Sequence, residues 1–168
     1  KLLYVGGLTQ RKGLSYLIKA IKEIDKKKIC STFIGRGPLE NYIKKELPDS
    51  NLKVNTFSHK SILNEMVNND ILILPSLSEG FALVTLEAMS RGMVVICTNR
   101  CGLKDIGNKN DYIIVTPNNY LIIKKKINFF LKNPNALKRM GIRALKTAKI
   151  YNWHKYQDQL TYMINKNL

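Results

Sequence analysis

The chain has 168 residues, a length that suits one domain with a hydrophobic core of its own. Hydrophobic residues make up 45% and charged residues 24%, without a long apolar segment or a low-complexity block, so the composition argues against a membrane-spanning class and favours a soluble α/β domain. Three cysteines, an odd number without metal-ligand spacing, favour a reduced cytosolic setting, and two dispersed histidines do not suggest a metal site. The net charge of +16 favours anionic partners.

Short apolar runs alternate with helix-like segments along the whole chain. In chain order, we predict strands at 2–6, 29–34, 52–57, 70–75, 93–97 and 112–116, and helices at 13–25, 38–47, 60–68, 81–91, near 102–107, and at 118–132, 134–150 and 153–166. Strands that alternate with helices of this length indicate a parallel sheet with helices on both faces. The predicted fold is therefore a single doubly wound, Rossmann-like α/β domain over 1–168.

The first predicted strand is followed by two glycines and then by a lysine near the start of the first helix. Gly6 and Gly7 would allow the backbone to approach a ligand closely, and Lys12 could meet a phosphate. A plain turn with a surface lysine explains the same residues, so this pattern alone does not decide.

The strand, turn and helix at 70–91 form the most informative segment, because it contains two carboxylates. Glu79 lies just before the predicted helix, and Glu87 lies about two turns along it. The loop would lie at the carboxyl edge of the sheet, where amides from Gly80 to Val84 would favour an anion such as a diphosphate. Two carboxylates there could bind sugar hydroxyls. The simpler alternatives are a helix-dipole carboxylate and an exposed helix residue.

Four ordered motifs between residues 3 and 106 resemble one family. The stretch PSLSEGFALVTLEAMSRGMVVI, which contains both carboxylates, resembles the donor-binding domain of retaining GT-B glycosyltransferases, the glycosyl transferases group 1. YVGGLTQRKGLSYLIKAI from Tyr4, FIGRGPLENYI from Phe33 and CGLKDI from Cys101 resemble the family's glycine loop, its G-x-G-P turn and its G-G-x-x-E-I segment.

The resemblance implies roles for individual residues. It assigns Glu79 to hydroxyls of the transferred sugar, Glu87 to the ribose and Lys12 to the diphosphate, with Glu79 and Lys12 as catalytic residues and no metal ion. We expect the side chains of Phe81 and Leu83 to lie in the core, with their amides facing the donor. The implied donor-binding residues are Gly6, Gly7, Lys12, Gly35, Gly37, Ser58, His59, Ile62, Glu79, Gly80, Phe81, Ala82, Leu83 and Glu87.

Three positions depart from the family's usual pattern. Gly7 replaces an arginine that helps to hold the diphosphate, which should weaken diphosphate binding by about 1.5–3 kcal/mol unless Arg11 or a residue outside this chain compensates. His59 replaces a glycine and would either narrow the base pocket or be an ordinary surface histidine. Asp105 replaces a glutamate, for which we expect a structural role.

The last third of the chain is strongly basic. Residues 112–168 contain nine lysines and two arginines against one acid, Asp158, so this third carries +10 of the total charge. In the helix predicted at 118–132, three consecutive lysines from Lys124 interrupt an apolar face. Such a pattern is typical of a solvated helix edge, and it also suits contact with acidic lipid headgroups or an acidic polymer.

We therefore interpret the chain as the donor-binding half of a retaining hexosyltransferase, inactive alone, whose N-terminal acceptor domain is absent from this chain. We expect transfer from a nucleotide-diphosphate sugar, UDP rather than GDP or ADP, to a hydroxyl of a lipid or polysaccharide, without a cofactor and without a nucleic acid partner. The expected location is cytoplasmic, peripheral at the inner face of a membrane. The alternatives are a non-catalytic nucleotide- or polyanion-binding module and a sugar-nucleotide epimerase of the same architecture.

Overall fold

A six-stranded sheet forms the centre of the computed structural model, which describes residues 1–54, 57–103, 106, 108–151 and 161. Its strands are β1 Leu2–Val5, β2 Ser31–Ile34, β3 Asn51–Lys53, β4 Ile71–Leu74, β5 Val94–Thr98 and β6 Ile113–Val115. All five pairings are parallel, and the spatial order is β3-β2-β1-β4-β5-β6. This is the order typical of doubly wound α/β folds, so the predicted fold class is confirmed.

The four inner strands are buried along their whole length because helices cover both faces of the sheet. Every residue of β1, β2, β4 and β5 is buried, as parallel strands covered on both faces require. The edge strands β3 and β6 are three residues long and partly exposed. The edge strand predicted at 52–57 is therefore shorter than expected, and residues 55 and 56 lie outside the described part of the chain. Cys97 is fully buried in β5.

Six α-helices with described bounds surround this sheet. They are α1 Leu14–Lys22, α2 Glu40–Glu46, α3 His59–Val67, α4 Leu83–Met89, α5 Tyr120–Lys132 and α6 Pro134–Ile150. Right-handed crossovers from β1 to β2 and from β4 to β5 run in opposite directions along the sheet, which puts α1 and α4 on opposite faces. α1 packs against α5, and α4 packs against α6. No helix among the described residues combines the length and the apolar character that crossing a bilayer requires.

Several helix ends differ from the prediction. The helix predicted at 13–25 is shorter: α1 begins after Gly13, which has left-handed backbone, and ends at Lys22. 3-10 turns at Gln10–Lys12 and Lys26–Lys28 lie on either side of it. The helix predicted at 153–166 lies outside the described residues except for residue 161. Positions 104, 105 and 107 are not described either, so the short helix expected near 102–107 and the role expected for Asp105 stay predictions.

The side chains of Phe81 and Leu83 lie outside the core, so the expectation that they anchor α4 is wrong. They are 46% and 50% exposed. The structural reason is that α4 begins only at Leu83: Phe81 precedes the helix, and the buried residues that pack α4 come later, at Thr85, Ala88 and Met89.

Candidate functional site

The loops that follow β1, β2 and β4 meet at the carboxyl edge of the sheet. The amide of Leu8 donates to the carbonyl oxygen of Arg36 at 2.8 Å, which joins the first loop to the second. The amide of Leu77 donates to the carbonyl oxygen of Arg11 at 2.9 Å, which joins the loop after β4 to the first. Strand order reverses between β1 and β4, and ligands of doubly wound sheets bind at this reversal.

Two glycines permit the close approach of these loops. Gly35 has φ +150°, and an added Cβ would lie 1.9 Å from the carbonyl oxygen of Gly6. Gly13 has φ +68°, and an added Cβ would lie 2.0 Å from the carbonyl oxygen of Pro75. Any larger residue would push the loops apart. Gly37, also in the predicted set, follows Gly35 in the second loop.

Lys12 and Glu79, the predicted catalytic residues, lie together at this edge. Lys12 Nζ is 2.7 Å from Oε1 and 2.5 Å from Oε2 of Glu79. Their side chains are only 16% and 14% exposed, so each charge has little water around it and relies on the other. In this pair, the ammonium of Lys12 can still donate to a phosphate, and the carboxylate of Glu79 can still accept from a hydroxyl.

Tyr4 holds the glycine loop in place by a hydrogen bond, a role that was not predicted from the sequence. Its hydroxyl donates to the carbonyl oxygen of Gly7 at 2.7 Å. Burial, with the charge of Glu79 as a second cause, raises the pKa of Tyr4 well above its usual value, so the phenol stays a neutral donor. The sequence does indicate this role, because a tyrosine lies in an otherwise aliphatic strand and a buried hydroxyl needs a hydrogen-bond partner.

Glu87, the predicted ribose ligand, contacts His59. His59 Nε2 lies 2.8 Å from Oε1 of Glu87, which joins α3 to α4. His59 is exposed, but it is not an isolated surface histidine. The neighbouring predicted base-loop residues have structural contacts: Ser58 Oγ accepts from the amide of Ser61 at 3.2 Å and caps α3, and Ile62 packs against the core.

The amides from Gly80 to Leu83 are only partly open to a ligand. Ala82 donates to the carbonyl oxygen of Cys101 at 3.2 Å, and Leu83 donates to that of Phe81 at 3.1 Å. Within the described residues, the amides of Gly80 and Phe81 have no protein acceptor. The space where a Cβ of Gly80 would lie is also open. In this structure, the first two of these four amides are therefore the ones available to an anion.

A buried polar cluster lies beneath the loop after β4. Thr98 Oγ1 donates to the carbonyl oxygen of Ser76 at 2.6 Å, and the buried hydroxyl of Ser76 meets no partner among the described residues. A hydrogen bond with Cys97 lowers the pKa of Cys101 to about 7, and the same bond together with burial raises the pKa of Cys97 above its usual range. These contacts fix the loop that holds Glu79 to the end of β5.

Gly7 leaves room for a larger side chain. Its φ lies outside the left-handed range, and an added Cβ would come no closer than 3.9 Å to Thr9 and 4.0 Å to Arg36. Arg11 is exposed, with Nη1 3.4 Å from the carbonyl oxygen of Ser78, so a second cation does lie next to the loop of Glu79. In the described part of the chain, no three His, Cys, Asp or Glu side chains form a metal-ligating group.

Comparison of the amino-acid sequence with known proteins identifies a family and several relatives. The chain matches the family model for glycosyl transferases group 1 over residues 1–147. It is 31% identical over 158 residues to an uncharacterized glycosyltransferase of Methanocaldococcus jannaschii, covering 91% of this chain and 44% of the relative. It is 28% identical to a subunit of the phosphatidylinositol N-acetylglucosaminyltransferase of Homo sapiens, covering 69% of this chain and 25% of that protein. The chain thus spans less than half the length of these relatives.

A solved structure shares the fold. HepE of Anabaena, in complex with UDP, superimposes with a TM-score of 0.86 over 98% of this chain and 48% of its own, at 18% identity. At that identity the likeness establishes the fold alone. Together with the family match over most of the chain, it leads to one conclusion: the chain belongs to the glycosyl transferases group 1 family and has the Rossmann-like fold of a GT-B domain.

Proposed function

We propose that this chain is the donor-binding half of a retaining glycosyltransferase that uses a UDP-sugar. The observation that carries the proposal is the Lys12–Glu79 pair at the point where strand order reverses, with the open amides of Gly80 and Phe81 beside it. Family membership supports sugar transfer from a nucleotide sugar. The UDP in the solved HepE complex supports UDP as the nucleotide.

Each side chain has a role in this proposal. The ammonium of Lys12, while still paired with Glu79, donates a hydrogen bond to the donor diphosphate. The amides of Gly80 and Phe81 donate to the same phosphates. Glu79 accepts from hydroxyls of the transferred sugar, and Glu87 accepts from the ribose hydroxyls. These groups stabilise the negative charge that grows on the leaving UDP as the bond from the sugar to the phosphate oxygen breaks.

The retaining step needs no protein nucleophile. The acceptor hydroxyl attacks the anomeric carbon from the face that the diphosphate leaves, and its proton passes to the departing phosphate oxygen. A new glycosidic bond forms while the sugar–phosphate bond breaks, and the configuration is kept. Lys12 lowers the barrier by stabilising the charge on the diphosphate.

The acceptor site is proposed to lie outside this chain. Since the relatives are more than twice as long, we propose that an N-terminal domain supplies the acceptor site and that this half alone does not transfer sugar. We propose a lipid or polysaccharide acceptor at the inner face of a membrane. The name of the human relative, which includes phosphatidylinositol, supports the lipid. The basic last third of the chain fits an anionic surface there.

The test is a calorimetric titration of the 168-residue chain with UDP, GDP, ADP and their glucose and mannose conjugates. We expect one nucleotide, UDP, to bind selectively. Glu87→Ala should remove most of that binding, because a carboxylate that accepts two ribose hydroxyls contributes on the order of 1.5–3 kcal/mol. The matched control is Glu46→Ala, which removes another helix glutamate that pairs with a basic side chain, Lys22.

Each outcome of the titration separates the hypotheses. If Glu87→Ala binds UDP as well as the unaltered chain, the ribose assignment is wrong. Binding that ignores nucleotide identity and disappears steeply with salt would favour the polyanion-binding module instead. Circular dichroism of both variants confirms that any loss of binding is not a loss of fold.

A further inference from the structure

Helix α5 presents to solvent a face that combines apolar and cationic side chains. Its residues are spaced i, i+4, i+7, i+8 and i+11, which places them on one side of a helix. This α5 outer face consists of Leu121, Lys125, Asn128, Phe129 and Lys132. Leu121 is 56% and Phe129 48% exposed, and they line one shallow groove together with the lysines.

The opposite side of α5 already accounts for its packing. Ile123, Ile127 and Phe130 are buried against the core. The outer face is therefore not needed to hold the helix on the domain. A single exposed leucine would mean little, but two large apolar side chains one above the other, with lysines between and beside them, form a patch of definite chemistry.

Part of the charge on α5 lacks compensation. The helix contains no Asp or Glu. Lys124 pairs with Glu23 of α1 at 2.7 Å. Lys125 and Lys132, in contrast, have no carboxylate within salt-bridge distance among the described residues. Their ammonium groups are free for an anionic partner.

We propose that the α5 outer face docks on an anionic lipid bilayer. Lysines would contact lipid phosphates, while Leu121 and Phe129 would enter the boundary between headgroups and acyl chains, as on an interfacial helix. A soluble polyanion would use the lysines but leave both apolar side chains in water. This inference rests on the membrane part of the proposed function and names the surface that performs it.

Two apolar side chains and two free lysines support only weak, reversible binding. The attraction of lysines to anionic lipid is electrostatic and is screened within about 8 Å at physiological ionic strength. The affinity should therefore fall with salt and should require anionic lipid. Lys124 is excluded from the tested face because its pairing with Glu23 holds α5 on α1.

The experiment is vesicle cosedimentation of the 168-residue chain, with vesicles of phosphatidylcholine alone or mixed with phosphatidylglycerol. We expect binding only to the mixed vesicles. Lys125→Gln with Lys132→Gln should lower the partition coefficient about 25-fold, at about fivefold for each lysine. Phe129→Ser should lower it severalfold at unchanged net charge.

Matched controls lie on other helices. Lys44→Gln with Lys45→Gln removes the same charge from α2, and Val67→Ser removes an exposed apolar side chain from α3. We expect both to bind nearly as the unaltered chain does. Equal losses in the control and α5 variants would overturn the proposal in favour of a general charge effect. Equal binding to neutral and mixed vesicles would also overturn it, because the lysines would then contribute nothing.

Two further readouts distinguish the failure modes. Loss from the lysine variants without loss from Phe129→Ser would show purely electrostatic adsorption and overturn docking through the apolar side chains of the α5 outer face. UDP titration of the same variants should be unchanged, because α5 contributes no residue to the carboxyl-edge site. If the chain binds vesicles but no nucleotide, the donor-site proposal fails while the α5 proposal stands.

Discussion

At the scale of single residues, the number of cations at the carboxyl edge should limit the donor binding that we propose. Lys12 is already bound through its ammonium to both oxygens of Glu79. A diphosphate that arrives there adds negative charge next to a lysine that is neutralised by a carboxylate. A second cation would offset this added negative charge. Arg11 is the cation that the described structure places near the loop of Glu79.

Gly7→Arg should strengthen donor binding. The backbone at Gly7 accepts a side chain, and the nearest atoms to its Cβ would be 3.9 Å or more away. A guanidinium next to the diphosphate should raise the affinity for UDP about tenfold or more, because a hydrogen bond to a charged group contributes about 1.5–3 kcal/mol. Isothermal titration measures the change.

Gly7→Met is the control for this substitution, because it adds length without charge. It should leave the affinity for UDP unchanged or lower it. If Gly7→Arg also leaves the affinity unchanged, Arg11 already supplies the second charge. Gly7→Arg with Arg11→Gln would then restore the affinity that Arg11→Gln alone removes.

The sequence identifies these residues better than it identifies their partners. Lys12 and Glu79 could each be predicted from a motif, but their pairing across 67 positions depends on the meeting of two loops. The contact between His59 and Glu87 depends in the same way on how α3 lies beside α4. Pairings of this kind follow from tertiary packing, which a local pattern does not contain.

At the scale of elements, α5 is held on the domain by an ion pair as well as by its apolar side. Lys124 donates to Glu23 of α1 at 2.7 Å, and this bond is the main reason that the pKa of Glu23 lies below its usual value. A lowered pKa means that the pair stabilises the fold above the pKa of the unfolded chain. That contribution disappears as pH falls through the lowered value of the folded state.

Lys124→Met should raise the pKa of Glu23 toward its ordinary value. It should also lower the melting temperature slightly at neutral pH. The difference from the unaltered chain should shrink as pH falls below the ordinary glutamate value of 4.5 and vanish below the lowered pKa of Glu23 in the folded state. NMR titration of the Glu23 side chain and thermal melts across pH measure the two effects. Lys126→Met is the control, because Lys126 has no carboxylate partner among the described residues.

Element types were predictable because their signals are local, and element ends were less so. The buried runs ILIL and VVICT are strands because both faces of the sheet are covered. The start of α4 was predicted two residues early, since the pattern FALVTLEAM has apolar residues at helical spacing from Phe81 onward. The bond from the amide of Ala82 to the carbonyl oxygen of Cys101 holds that residue outside the helix, and Cys101 belongs to a distant loop.

At the scale of the whole molecule, the net charge of +16 sets conditions for both stability and binding. Ion pairs such as Lys26–Asp49 and Lys53–Glu65 compensate some of the charge locally. The acids are outnumbered 28 to 12, so most cations repel one another. Such repulsion opposes the compact state and draws the protein to anionic surfaces.

Salt should therefore stabilise this protein. Raising sodium chloride from about 10 mM to about 150 mM shortens the screening length from about 30 Å to about 8 Å and weakens repulsion across the molecule. The same salt weakens exposed ion pairs, but each of these contributes only about 0–1 kcal/mol, so relief of the excess repulsion should dominate. A gain on the order of 1 kcal/mol would raise the melting temperature by about 2–4 °C. Lys125→Gln with Lys132→Gln should melt higher than the unaltered chain at low salt and gain less from added salt. A melting temperature that falls with salt would show that the local ion pairs outweigh the global repulsion.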